Sequence, residues 1–143
     1  MGKQNMYEHT IGVPFIMRGP GVPRDNRLDA QIYLRDMYPT TCEMAGIKIP
    51  ETVDGRSLVP LLQGKVDQIY SAIYGCFFES QRMIRTDRWK LIGYPEIDRY
   101  QLFDLESDPK ELRDLAGSDQ HDELMEALRE RMDEWFSSQL KPR

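Results

Sequence analysis

A cation, a phenol, a carboxylate and an imidazole open the chain in the run Gly2-Lys3-Gln4-Asn5-Met6-Tyr7-Glu8-His9. Such groups can hold an anion or move a proton. An ammonium is a compact point charge, suited to gripping a tetrahedral oxyanion or offsetting charge on a leaving oxygen. Lys3 is therefore the first catalytic and substrate-binding candidate. His9 joins it as a substrate-binding candidate, because an imidazole transfers protons near neutral pH. The ordinary alternatives are a surface lysine and a hydrogen-bonded structural histidine, and spacing alone does not separate them. The first residues of a free chain seldom hold side chains in position, so this run is expected to belong to something larger.

Other constellations carry less chemistry. Asp104-x-Glu106-x-Asp108 sets carboxylates at alternate positions, as a calcium loop does. Pro109 stands where that loop needs glycine, however, and Leu115 where it needs a bidentate glutamate, so a solvated acidic turn is expected. Ser57 has no adjacent histidine to activate it and reads as a helix cap. His121 falls in the first turn of the last helix, at the surface. Cys42 and Cys76 lack a second thiol or imidazole at ligand spacing, which disfavours zinc. Two buried free thiols are expected, with a disulfide the alternative in an exported protein.

These residues need a scaffold, and 143 residues suffice for a single core. Hydrophobic residues at 40% and charged residues at 30% fit a chain that folds in water. A net charge of −5 without a basic cluster argues against nucleic acid as a partner. No apolar run approaches the roughly 20 residues that cross a bilayer, and no secretion signal or myristoylation pattern opens the chain.

Val13–Met17, stopped by Gly19-Pro20-Gly21, reads as a short buried strand with Pro14 at its start or edge. Asp36–Ala45 reads as a helix with Asp36 near its N-cap and Gly46 closing it. Ser57 caps a short helix carrying Leu58, Leu61 and Leu62, closed by Gly64. The second half changes to strands over 69–74, 82–85, 89–94 and 100–105, with a tight connection at Thr86-Asp87-Arg88. A helix over 119–138 carries Leu124, Met125, Leu128, Met132, Trp135 and Phe136 on one face, a stripe that packs on the neighbouring sheet.

Taken together, several segments resemble the C-terminal part of a sulfatase, in the alkaline-phosphatase-like superfamily. They are Gly2-Lys3-Gln4-x-x-Tyr7-Glu8-His9 with Val13-Pro14-Phe15-Ile16, then Asp36-x-x-Pro39-Thr40, Asp54-Gly55-Arg56-Ser57-Leu58-x-Pro60-Leu61-Leu62, Trp89-Lys90-Leu91-Ile92, and Leu102-Phe103-Asp104-Leu105-x-x-Asp108-Pro109-x-Glu111. Their order over nearly the whole chain carries the resemblance. It implies a parent enzyme whose large α/β domain holds a formylglycine in a Cys/Ser-x-Pro-x-Arg motif, with ligands for a divalent cation, usually calcium. It also implies that the Gly-Lys lysine, here Lys3, contacts the sulfate ester and the departing oxygen.

Neither cysteine here is followed by that proline and arginine, and the implied metal ligands lie upstream of Met1. A charge-assisted hydrogen bond contributes roughly 1.5–3 kcal/mol, against about 8 kcal/mol at the low end of enzymatic acceleration. The isolated chain is thus expected to be inactive. The expected fold class is α+β: residues 1–66 form the tail of the large domain, and residues 67–143 a small antiparallel sheet packed against a C-terminal helix. Loops 75–81 and 93–99 are expected near the leaving group. The alternatives are a phosphodiesterase or phosphonate hydrolase of the same superfamily, or a stand-alone interaction module. An exposed former interface predicts self-association. Members of this family are often periplasmic or secreted.

Overall fold

A computed structural model describes residues 4–139. Its elements run α1 (Glu8–Ile11), α2 (Met37–Met44), α3 (Val59–Leu62), β1 (Ile73–Phe77), β2 (Gln81–Arg85), β3 (Trp89–Tyr94), β4 (Arg99–Asp104) and α4 (Asp122–Gln139). The fold is α+β, and it divides into two compact units, one of residues 4–13 with 74–139 and one of residues 14–73. No helix among the described residues is long and apolar enough to cross a membrane.

In the first unit the four strands form an antiparallel meander, ordered β1-β2-β3-β4. Thr86 makes the turn into β3 tight, its backbone N–H donating to Trp89 O while its hydroxyl accepts from Trp89 N–H. Side chains alternate between the faces of a strand, yet four consecutive residues of β3, Lys90 to Gly93, are buried. Both faces are therefore covered. On one, Ile84, Leu91 and Leu102 pair across the strands and meet Leu128 and Met132 of α4. On the other, Met83, Ile92, Phe103 and Leu105 close around Met6, with Tyr7 and Ile11 against them. Burying a side chain the size of Met6 contributes about 1.5–3 kcal/mol, so the opening segment forms part of this core.

The second unit is built around Asp36, which is fully buried. Its carboxylate accepts from Tyr33 N–H (2.7 Å), Arg56 N–H (2.9 Å) and Tyr70 O–H (2.7 Å). One helical turn on, Thr40 donates to Asp36 O at 2.6 Å and accepts from Leu58 N–H at 2.9 Å, joining α2 to the start of α3. Gly55 lies so close to the turn that leads into α2 that a Cβ there would clash with the Arg35 carbonyl oxygen. The Asp-x-x-Pro-Thr and Asp-Gly-Arg-Ser motifs are thus two halves of one structural joint. Gly46 ends α2 at φ +69°. α3 starts at Val59 with Leu58 rather than the expected Ser57 at its N-cap, and the Ser57 hydroxyl accepts Val59 N–H at 3.2 Å from one residue further out.

Three expectations are corrected. Val13–Met17 makes no strand among the described residues, and Ile16 is 90% exposed; a strand needs a partner for its backbone groups, and local sequence cannot supply one. The first strand is Ile73–Phe77 rather than 69–74, because Ile69 O accepts from the Arg56 guanidinium and Tyr70 is held by Asp36. Cys42 is buried but Cys76 is exposed, and both are free thiols.

Candidate functional site

Lys3 lies outside the described residues. The segment that follows it is tied to the sheet residue by residue. Met6 N–H donates to Gln81 Oε1 (3.1 Å), the Tyr7 hydroxyl to Gln101 Oε1 (2.7 Å), and Glu8 N–H to Glu111 Oε2 (2.6 Å). His9, one residue further, is exposed, its ring stacked on Tyr7 with centroids 5.8 Å apart.

Under this segment lies a buried ion cluster. Lys90, with no exposed surface, places Nζ 3.0 Å from Glu8 Oε1 and 2.7 Å from Glu111 Oε1. Arg85 Nε stands 3.1 Å from the same Glu8 oxygen. The register explains why Glu8 is needed: Arg85 and Lys90 are direct cross-strand partners, and like charges so placed repel. Two carboxylates from outside the sheet balance them. Glu111 reaches in from a backbone at φ +55°, a left-handed conformation that a non-glycine residue keeps only where its surroundings enforce it.

The Tyr94 hydroxyl shares Gln101 Oε1 with Tyr7, at 2.7 Å. Burial first, then its bond with Tyr7, pushes the Tyr94 phenol well above its usual range. Near the end of β4, Arg88 grips Asp104 through two bonds of 3.0 and 2.8 Å, and this guanidinium holds the Asp104 carboxyl down at about 2. Asp104 is thereby part of an ion pair, and Asp108 accepts Arg113 N–H at 2.8 Å. Of the loops expected near a leaving group, 75–81 carries Phe78, 82% exposed at φ +50°, and 93–99 carries Asp98 at φ +44°.

Sequence reasoning quoted Glu8, Lys90 and Glu111 in three separate motifs without joining them. The available signal was a lysine inside the apolar run Trp89–Ile92. Among the described residues, no group of three or more His, Cys, Asp or Glu side chains could hold a metal ion.

This α+β fold, a four-stranded antiparallel sheet with helices, matches structures of alkaline-phosphatase-like sulfatases. A 2-O GAG sulfatase superposes with a TM-score of 0.80 at 28% identity, over 94% of this chain and 31% of that one. Phosphonate monoester hydrolase from Silicibacter pomeroyi, at TM-score 0.76 and 24% identity over 92% of this chain and 30% of that one, shares the fold. Residues 1–138 match the family described as N-sulphoglucosamine sulphohydrolase, C-terminal, and the chain belongs to that sulfatase family. Human arylsulfatase K is 38% identical over 128 residues, covering 80% of this chain and 24% of the relative. An ulvan-active sulfatase of Formosa agariphila is 30% identical over 177 residues, covering 96% of this chain and 35% of the relative. The chain thus spans about a quarter to a third of the relatives it matches.

Proposed function

We propose that this chain is the C-terminal part of a sulfuric ester hydrolase and that Lys3 contacts the sulfate and the departing oxygen, with His9 lining the substrate side. The observation that carries the reading is the family match across residues 1–138, which includes the Gly-Lys-x-x-x-Tyr-Glu-His opening. On this reading residues 1–66 belong to a large catalytic domain and residues 67–143 to a small one, with Met6 to Ile11 of the opening segment packed on the small domain's sheet. A formylglycine nucleophile and a calcium ion, held by residues outside this chain, would supply the attacking oxygen and the sink for sulfate charge.

Among the described residues, what the chain itself contributes is a segment, Met6 to Glu8, fastened by hydrogen bonds to Gln81, Gln101 and Glu111. His9, exposed beside Tyr7, is free to meet a substrate hydroxyl. Without the other domain, the exposed apolar side chains of the second unit, including Phe15, Ile16, Leu34 and Ile47, favour self-association of the isolated chain.

In a complete enzyme carrying this C-terminal part, Lys3→Ala should lower kcat on an aryl sulfate about 10²–10³-fold, the usual effect of deleting one oxyanion donor, with unchanged melting. Near-normal turnover would remove the assignment. The isolated chain should release no sulfate with or without calcium, and reproducible release would overturn the reading.

A further inference from the structure

We propose that the loop of residues 16–25 is a binding site for an oxyanion, a sulfate or carboxylate group, gripped by Arg18 and Arg24. The loop borders an open cavity of about 700 Å³, lined by both arginines, by Asp25 and by apolar side chains that include Ile16, Val22 and Pro23. That volume falls in the range of small-molecule sites, where mostly apolar walls are combined with a few polar groups. The site lies wholly within the second unit, and it does not depend on the reading of Lys3.

The other arginines of this unit are engaged. Arg27 pairs with Asp29 at 3.1 Å, Arg35 lies over the Tyr33 ring at 4.2 Å, and Arg56 lies over the Tyr70 ring and donates to Ile69 O. Arg18 and Arg24 have no such partner among the described residues, and these two share the cavity. With one carboxylate, Asp25, against two guanidiniums, the lining carries net positive charge. A guanidinium is a planar fork of donors that matches the oxygens of a carboxylate or sulfate two at a time. The apolar wall beside the arginines suits the body to which such a group is attached.

The loop is also shaped in advance. Gly19-Pro20-Gly21-Val22 fits a type II turn, with proline second, glycine third at φ +78°, and Val22 N–H donating to Gly19 O at 3.2 Å. Pro23 follows and disfavours the helical region for Val22. Arg18 and Arg24 thus flank a turn that is set before a ligand arrives, so binding loses little affinity to ordering.

The test is a backbone-amide NMR titration of the intact chain at low ionic strength with phenyl sulfate, benzoate, inorganic sulfate and phenol. Phenyl sulfate or benzoate should give saturable shifts at the amides of residues 16–25, and the tighter of the two tells sulfate from carboxylate. Phenol, which keeps the ring and lacks the charge, should give none. Arg18→Gln and Arg24→Gln should each weaken binding about tenfold or more, the scale of one charge-assisted hydrogen bond. Asp25→Asn removes the competing carboxylate and keeps a residue type that tolerates φ +51°. It should tighten binding, which a damaged loop could not do. Inorganic sulfate that binds as tightly as phenyl sulfate, with the same need for both arginines, identifies the free ion as the ligand, whereas weaker binding identifies an organic anion. Lys3→Ala should leave the loop shifts unchanged, so failure of the Lys3 assignment and failure of this site are separate results. No loop shifts with any of the anions, equal affinity in both arginine variants, or no gain in Asp25→Asn overturns the proposal.

Discussion

Among the described residues, each of the two units buries one charged residue completely, and the two are satisfied in opposite ways. Asp36 is surrounded by neutral donors, two backbone N–H groups and the Tyr70 hydroxyl, none more than 34 residues away. Lys90 is surrounded by charge, with the carboxylates of Glu8 and Glu111 against it and a second cation, Arg85, sharing Glu8. A carboxylate bonded to neutral donors organises its own neighbourhood. A lysine that relies on carboxylates outside the sheet makes the sheet dependent on another segment. The first arrangement builds a joint, and the second builds a receptor for the segment that carries Glu8.

The contrast can be broken most forcefully at Lys90. Lys90→Met leaves the buried Glu111 carboxylate without its cation while Glu8 keeps Arg85, and removing one partner of a buried pair costs about 3–5 kcal/mol. Urea unfolding followed by tryptophan fluorescence should show that loss, and a change within error would mean the cluster is not coupled to folding. Tyr70→Phe removes one of three donors from Asp36 and should cost less, about 1.5–3 kcal/mol for a bond to a charged group.

The pH dependence sharpens that comparison. Burial first, then the bond to Asp36, pushes the Tyr70 phenol up to about 12 from 10.0. Its stabilising share is therefore complete below pH 10 and is lost as pH rises toward 12. Thermal melts of Tyr70→Phe should fall less steeply over that range than those of the unaltered chain. The smallest effect belongs to Arg88→Gln. The guanidinium holds Asp104 at about 2 rather than 3.8, so its contribution is present above pH 4 and lost as pH falls to 2. The Arg88→Gln melt should be displaced slightly at neutral pH and should converge on the parent at pH 2. A displacement that persists there would assign the loss to packing rather than charge.

Much of this architecture was legible because its cues are local. The run of 89–94 against 100–105, the Thr86 turn and the apolar stripe of α4 each carry their signal within a few residues, as do the Asp36 cap position and Gly46. What was not legible depended on distant partners. Val13–Met17 has the composition of a strand but no neighbour to pair with among the described residues. Tyr70 resembles a strand residue and is claimed instead by a carboxylate 34 positions away. Lys90 was visible as a charge inside an apolar run, yet nothing near it in sequence announces Glu8 or Glu111. The family motifs held the information in pieces: Asp-x-x-Pro-Thr and Asp-Gly-Arg-Ser form the joint, and Tyr-Glu-His, Trp-Lys and the Glu111 loop form the receptor.

Amide hydrogen exchange at two positions of the intact chain tests the difference between joint and receptor most directly. Glu8 N–H is held by Glu111, and Arg56 N–H by Asp36. In Lys90→Met, the account predicts that protection at Glu8 is lost while protection at Arg56 is kept. Equal protection at Glu8 in both proteins would contradict the claim that Lys90 fastens the opening segment to the sheet.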